Sequence, residues 1–100
     1  MVNLPKLECP YVIKEQLVII NKLGLHARAT SKLVQTTQQY KSEVTLTFNN
    51  MTVNGKSIMG IMMLAAACGS QVAFNITGED ELQCISAIKA LISNRFGEKE

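Results

Sequence analysis

The strictest constraint in this chain is a change of period along its length. Val44, Leu46 and Phe48 alternate with Thr45 and Thr47, and Val72, Phe74 and Ile76 alternate with Ala73, Asn75 and Thr77. A repeat of two puts every apolar member on one side of a strand, so each strand can bury one face and leaves the other to water. Elsewhere the apolar residues recur at threes and fours. Ala29, Leu33 and Val34, with Thr30 and Thr37, share one side of a helix, and Leu82, Ile85, Ile88 and Ile92 share a side of another. One-sided helices and one-sided strands satisfy each other when the helices lie on the apolar face of an antiparallel sheet.

Read in order, residues 14–20 form a first strand that ends at Asn21, and residues 27–39 form an amphipathic helix with Lys32, Gln35 and Gln39 outward. The strand Val44 to Phe48 turns through Asn49-Asn50 into a partner at residues 51–53, because two asparagines accept the backbone of a tight hairpin. From Ser57 the chain is apolar almost all round through Leu64 and Ala67 to Gly69, which reads as a short helix with more than one covered face. The last strand follows, and Glu79, Asp80 and Glu81 place negative charge at the start of the last helix, where the dipole favours it. The order is β-α-β-β-α-β-α, an α+β arrangement with one sheet face open or thinly covered.

With 100 residues, 47% of them hydrophobic, the chain suits one compact domain. A net charge of +2 points to neither nucleic acid nor an anionic membrane as the main partner. Only five residues are aromatic, which argues against a base-stacking RNA surface. Cys9, Cys68 and Cys84 are odd in number without C-x-x-C spacing, and one histidine cannot complete a metal site with them. Reduced thiols, no metal and no cofactor are therefore expected, in a cytoplasmic protein. The opening MVNLPKLECPYV has no basic stretch leading into an apolar core, so export is not expected either. The apolar run at residues 58–68 is about half the roughly 20 residues that span a bilayer.

Chemistry concentrates in N-K-L-G-L-H-A-R-A-T, residues 21–30. His26 stands where a helix begins, and the unpaired N–H groups of a first turn form a ready anion site. Arg28 adds a forked guanidinium suited to phosphate oxygens. A cation in the first turn opposes the helix dipole by about 0.3 to 1 kcal/mol, so folding alone gives no reason for it. An incoming anion does. Histidine is a competent covalent nucleophile, and a reference imidazole pKa of about 6.5 leaves its lone pair available near neutral pH. The plain alternative is a capping or solvated loop histidine, with Gly24 an ordinary turn residue.

GLHAR opening one helix after a strand, and NGKSIMGIMML opening the next, resemble the HPr family of the phosphotransferase system, and the resemblance runs over roughly residues 16–96. It implies an open-faced β-sandwich, four antiparallel strands with three helices on one face, over residues 13–100, with residues 1–12 as an N-terminal extension. It further implies a phosphoryl carrier, not a stand-alone enzyme. His26 would accept phosphate from enzyme I, which draws on phosphoenolpyruvate, and pass it to a downstream acceptor protein, with Arg28 steadying the group. Ser57 matches the position that a serine kinase/phosphorylase modifies in many members, although a serine before a helical run is also an ordinary N-cap. Ala29 stands where the family has proline. IINKLGLHAR and ISNRFGE resemble the nitrogen-branch relative of HPr, whereas KSIMGIM resembles members that meet the serine kinase.

The cluster Ile58, Met59, Ile61, Met62 and Met63 is expected to be about half buried, its remainder an adaptable docking face. Lys22, Lys32 and Lys56 would ring that face with positive charge, and Ile58, Met59 and Met62 together with Lys22, Ala27 and Lys32 are the expected partner contacts of a monomer. The competing readings are a ligand-binding α/β module and a regulator that transfers nothing. The presence of His26 speaks against the second.

Overall fold

The computed structural model describes residues 12–100, so the expected extension at residues 1–12, Cys9 included, lies outside the described residues except for Val12. The elements are β1 (Val12–Val18), α1 (Ala27–Thr37), β2 (Glu43–Phe48), β3 (Met51–Asn54), α2 (Ile58–Met63), β4 (Gln71–Thr77), α3 (Glu81–Ser93) and a final 3-10 turn at Arg95–Gly97. The four strands form one antiparallel sheet in the order β1-β4-β2-β3. Register puts Ile13 opposite Ile76, Leu46 opposite Phe74 and Val53 opposite Leu46, so the alternating apolar positions share one face beneath the helices. Lys14, Gln16, Thr45, Thr47 and Asn75 line the other face, which carries no helix among the described residues. The open-faced sandwich is therefore the observed fold.

Several expected boundaries move. The first strand runs two residues earlier than residues 14–20, because pairing with β4 starts at Val12–Thr77 and ends at Val18–Gln71. Ile19 continues inward and is fully buried, its N–H bonded to Ser70 O at 2.9 Å. The first helix stops at Thr37, since Gln39 and Tyr40 donate to carbonyls three residues back and tighten the last turn. At the hairpin, Asn49 and Asn50 have φ of 52° and 64°, the left-handed pair that a two-residue turn requires.

Three expectations about faces need correction. Leu82 is 70% exposed; the inward position of the first turn of α3 belongs to Glu81, which is buried and accepts from Gly78 N–H at 3.1 Å. Cys84, Ile85, Ile88 and Ile92 then carry the packing. The second helix ends at Met63, and Ala65 turns to φ 52°, rather than continuing through Ala67. Of the methionine-rich cluster only Ile61 is buried, not half, because six residues make too short a helix to wrap into the core.

The chain leaves α2 early to serve the loop before α1. Leu25 N–H donates to Ala66 O at 2.9 Å, and Gly24 lies flat against the same segment with φ 67°. A Cβ on Gly24 would sit 2.5 Å from Ala66 O and 2.8 Å from Ala67 Cα, so only glycine fits.

Candidate functional site

The loop Asn21 to Leu25 ends in His26, the N-cap of α1, with extended backbone (φ −79°, ψ −178°). Its carbonyl accepts from Thr30 N–H at 2.8 Å, but its side chain makes no capping bond, and no acidic residue occupies the first turn. The positive end of the helix is thus left for another group. Ala29 and Thr30 are buried and fix the turn to the core, while Thr30 Oγ1 donates to Leu25 O at 3.1 Å.

A cavity of about 700 Å³ opens over this helix start. Lys22, Leu23, His26, Ala27 and Arg28 line one side, and Glu98 and Glu100 from the C-terminal segment line the other. Arg28 is exposed, with no side-chain hydrogen bond or ion pair to any described residue. Lys22 pairs with Glu100 at 3.3 Å, both side chains well exposed, and its N–H also donates to Glu100 O. An exposed pair of this kind contributes little on its own.

The tail brings the residue that the sequence reading missed. Glu98 Oε2 lies 2.5 Å from His26 Nε2, and Asn21 Nδ2 donates to Glu98 Oε1 at 3.0 Å. The Asn21 hydrogen bond holds the Glu98 carboxyl below the usual carboxylate range; burial opposes this, and His26 and Arg28 add to it. Glu98 is therefore ionised at neutral pH. It is 77 residues from Asn21 along the chain, and the only sequence signal for it is Phe96-Gly97-Glu98 after the last helix. Phe96 is fully buried, and its carbonyl accepts from Lys32 Nζ at 2.8 Å, so the aromatic pins the segment that delivers the carboxylate.

The remaining expected site residues are spread over other surfaces. Lys32 turns its ammonium to Phe96 O, and Lys56 turns its own to Tyr40 O at 2.7 Å. Ser57 is the N-cap of α2, Oγ accepting from Gly60 N–H at 3.0 Å. Ile58, Met59, Met62 and Met63 are exposed on α2, which packs beside α1 but contributes nothing to the lining of the His26 cavity. Among the described residues no group of three potential metal ligands occurs, and no helix is long and apolar enough to cross a membrane.

The family model for the HPr component phosphorylation site of the phosphotransferase system matches residues 13–94. The phosphocarrier protein HPr of Neisseria meningitidis serogroup A is 53% identical over 89 residues, which is 89% of this chain and all of that protein. HPr of Xylella fastidiosa is 48% identical over 87 residues, covering 87% of this chain and 98% of that one. In three dimensions, a crystal structure of HPr from Thermoanaerobacter tengcongensis superimposes with a TM-score of 0.84 at 40% identity, over 88% of this chain and 99% of that one. The chain belongs to the HPr family of phosphocarrier proteins of the phosphotransferase system.

Proposed function

We propose that His26 is the residue on which this carrier takes up and gives up the phosphoryl group. The observation that carries the reading is the juxtaposition of a partly exposed imidazole, an uncapped helix start and Arg28, unpartnered among the described residues, around one open cavity. A ring nitrogen attacks phosphorus, the bond from phosphorus to the donor breaks, and the donor leaves with the electron pair. The first-turn N–H groups and the Arg28 fork then face the phosphate oxygens. Passing the group onward is the same displacement with His26 as the leaving group. A cavity open on one side suits a protein that must meet a donor and an acceptor in turn, and this is the role of a carrier rather than of a stand-alone enzyme.

The donor in this reading is enzyme I, charged by phosphoenolpyruvate, and the acceptor is a downstream component of the same system, in the cytoplasm. Exposed Ile58, Met59 and Met62, with Lys22 and Ala27 at the cavity rim, form the contact face; flexible methionines suit a surface that serves more than one partner. Lys32 takes part through its hold on Phe96 rather than as a free charge. Ser57 is the regulatory position. A phosphate there adds about −1.5 to −2 charges beside exposed apolar side chains, which opposes docking, while the helix start itself tolerates it. The open face of the sheet is mostly polar, with Val12 and Val18 its exposed large apolar side chains, and so small an apolar area supports the monomer of this reading. Residues 13–100 form the carrier domain, and residues 1–12 precede it. Incubation with enzyme I and phosphoenolpyruvate, followed by intact mass, tests the reading: one added acid-labile phosphoryl group is expected, and an unchanged mass contradicts it.

A further inference from the structure

Asn21 is fully buried, and its amide orientation is determined by what surrounds it. Nδ2 donates to Gly24 O at 2.8 Å and to Glu98 Oε1 at 3.0 Å, while Oδ1 has no partner among the described residues. Turning the amide over would set Oδ1 against a carbonyl and a carboxylate and forfeit both bonds, one of them charge-assisted. Nδ2 therefore faces the tail, and Glu98 Oε1 must be an acceptor. The second oxygen of that carboxylate is 2.5 Å from His26 Nε2. An ionised carboxylate can only accept, so the contact requires a ring proton on Nε2 and, in the neutral ring, leaves the lone pair on Nδ1.

We infer that Glu98 is a positioning residue for phosphoryl transfer: anchored by Asn21, it holds the His26 proton on Nε2, keeps Nδ1 free as the nucleophile, and pairs with the charge the ring gains. The inference rests on the reading of His26 as the acceptor. In the step itself, the Nδ1 lone pair forms the N–P bond, the bond from phosphorus to the donor breaks, and the electron pair leaves with the donor. The ring keeps its Nε2 proton and becomes a phosphoimidazolium, whose positive charge lies against the Glu98 carboxylate. Onward transfer cleaves the N–P bond and returns a neutral ring in the same tautomer. The carboxylate thus acts at both ends of the cycle, much as a buried carboxylate sets the tautomer of a histidine base.

Two substitutions separate this role from a merely structural one. In Glu98→Gln the side-chain oxygen must still meet Asn21 Nδ2, so its NH₂ is turned toward His26 Nε2 and drives the ring proton to Nδ1. Glu98→Ala removes the contact and leaves the ring free to take either tautomer. With enzyme I and phosphoenolpyruvate, uptake should slow by about tenfold in Glu98→Ala, and by about a hundredfold or more in the nearly isosteric Glu98→Gln, since a wrong tautomer is costlier than none imposed. Ring ¹⁵N spectra of the unphosphorylated wild type should show the Nε2–H tautomer, and those of Glu98→Gln the Nδ1–H tautomer. Uptake by Glu98→Gln as fast as by Glu98→Ala, or an Nδ1–H ring in the wild type, overturns the inference. His26→Ala is run beside them. Labelling that survives in His26→Ala overturns the acceptor reading itself, whereas its loss there together with wild-type speed in Glu98→Gln overturns the role of Glu98 alone.

Discussion

Arg28 is placed against the interest of the fold. It stands in the first turn of α1, exposed and unpaired among the described residues, where a cation opposes the dipole. Replacement by methionine should leave stability unchanged or raise it by up to about 1 kcal/mol, while slowing phosphoryl uptake at least tenfold. Urea unfolding beside uptake kinetics checks both, and a destabilised Arg28→Met protein with normal uptake would show the guanidinium to be structural. That His26 and Arg28 meet at the start of one helix, with Gly24 in the turn before it, was legible in the sequence because the three lie within five positions of one another. Glu98 was not, because its partner lies 72 positions away and a carboxylate near the end of a chain is ordinary in itself. Asn21 was read as the end of a strand, and nothing in its neighbours announces that its amide orients that distant carboxylate.

At the level of elements, period predicted which segments are strands and helices, and missed how short helices orient. Leu82 and Glu81 differ by one position, or about 100° around the axis, and the acid took the inward place because its carboxylate meets the Gly78 N–H at the helix entry. The second helix stops early because Ala66 is needed opposite Leu25, a tertiary demand that its unbroken apolar run conceals. The tail is the most finely balanced element. Arg95 and Phe96 both adopt left-handed backbone, at φ 53° and 54°, which costs about 1–2 kcal/mol each, against about 1.5–3 kcal/mol for burying the ring. The Lys32 bond to Phe96 O tips the sum toward closure. Phe96→Ala should therefore release Glu98 from His26 and cost about 1–3 kcal/mol in global stability, less than an ordinary buried Phe→Ala because opening the tail also relieves the strain at Arg95 and residue 96. Calorimetry and the histidine ¹⁵N shifts read the two effects, and an unchanged ring environment in the variant would show that Phe96 does not place the carboxylate.

For the molecule as a whole, the titrating groups predict a stability plateau with two shoulders. Asp80 accepts from Ser42 Oγ and from the N–H groups of Lys41 and Ser42, tying the turn before β2 to the start of α3, and these bonds hold its carboxyl below the ordinary 3.8. Glu98 is likewise held below its ordinary 4.5. Groups lowered by folding stabilise fully above their unfolded values and lose that contribution as pH falls through their folded ones. Burial pushes the Cys84 thiol up from 9.0 to about 11, a raised group whose contribution is complete below 9.0 and lost between there and about 11. The contribution of these three groups to the urea midpoint should hold steady from about pH 5 to 8, the range set by these values, and fall on either side; in Asp80→Asn the loss on the acid side should shrink, and an unchanged acid limb there would contradict the bonding seen at Asp80. The sheet, its open face and the family resemblance were all readable in the sequence, because alternation and two motifs in order are properties of the chain. The closure of the tail over the helix start was not, because it joins the two ends of the fold. The central claim is that one imidazole carries the phosphate, and the direct measurement is phosphoryl uptake from enzyme I and phosphoenolpyruvate by wild type and by folded His26→Ala, read by intact mass before and after brief acid treatment. The wild type should gain one phosphoryl group that acid removes, and His26→Ala should gain none; equal labelling of the two would contradict the account.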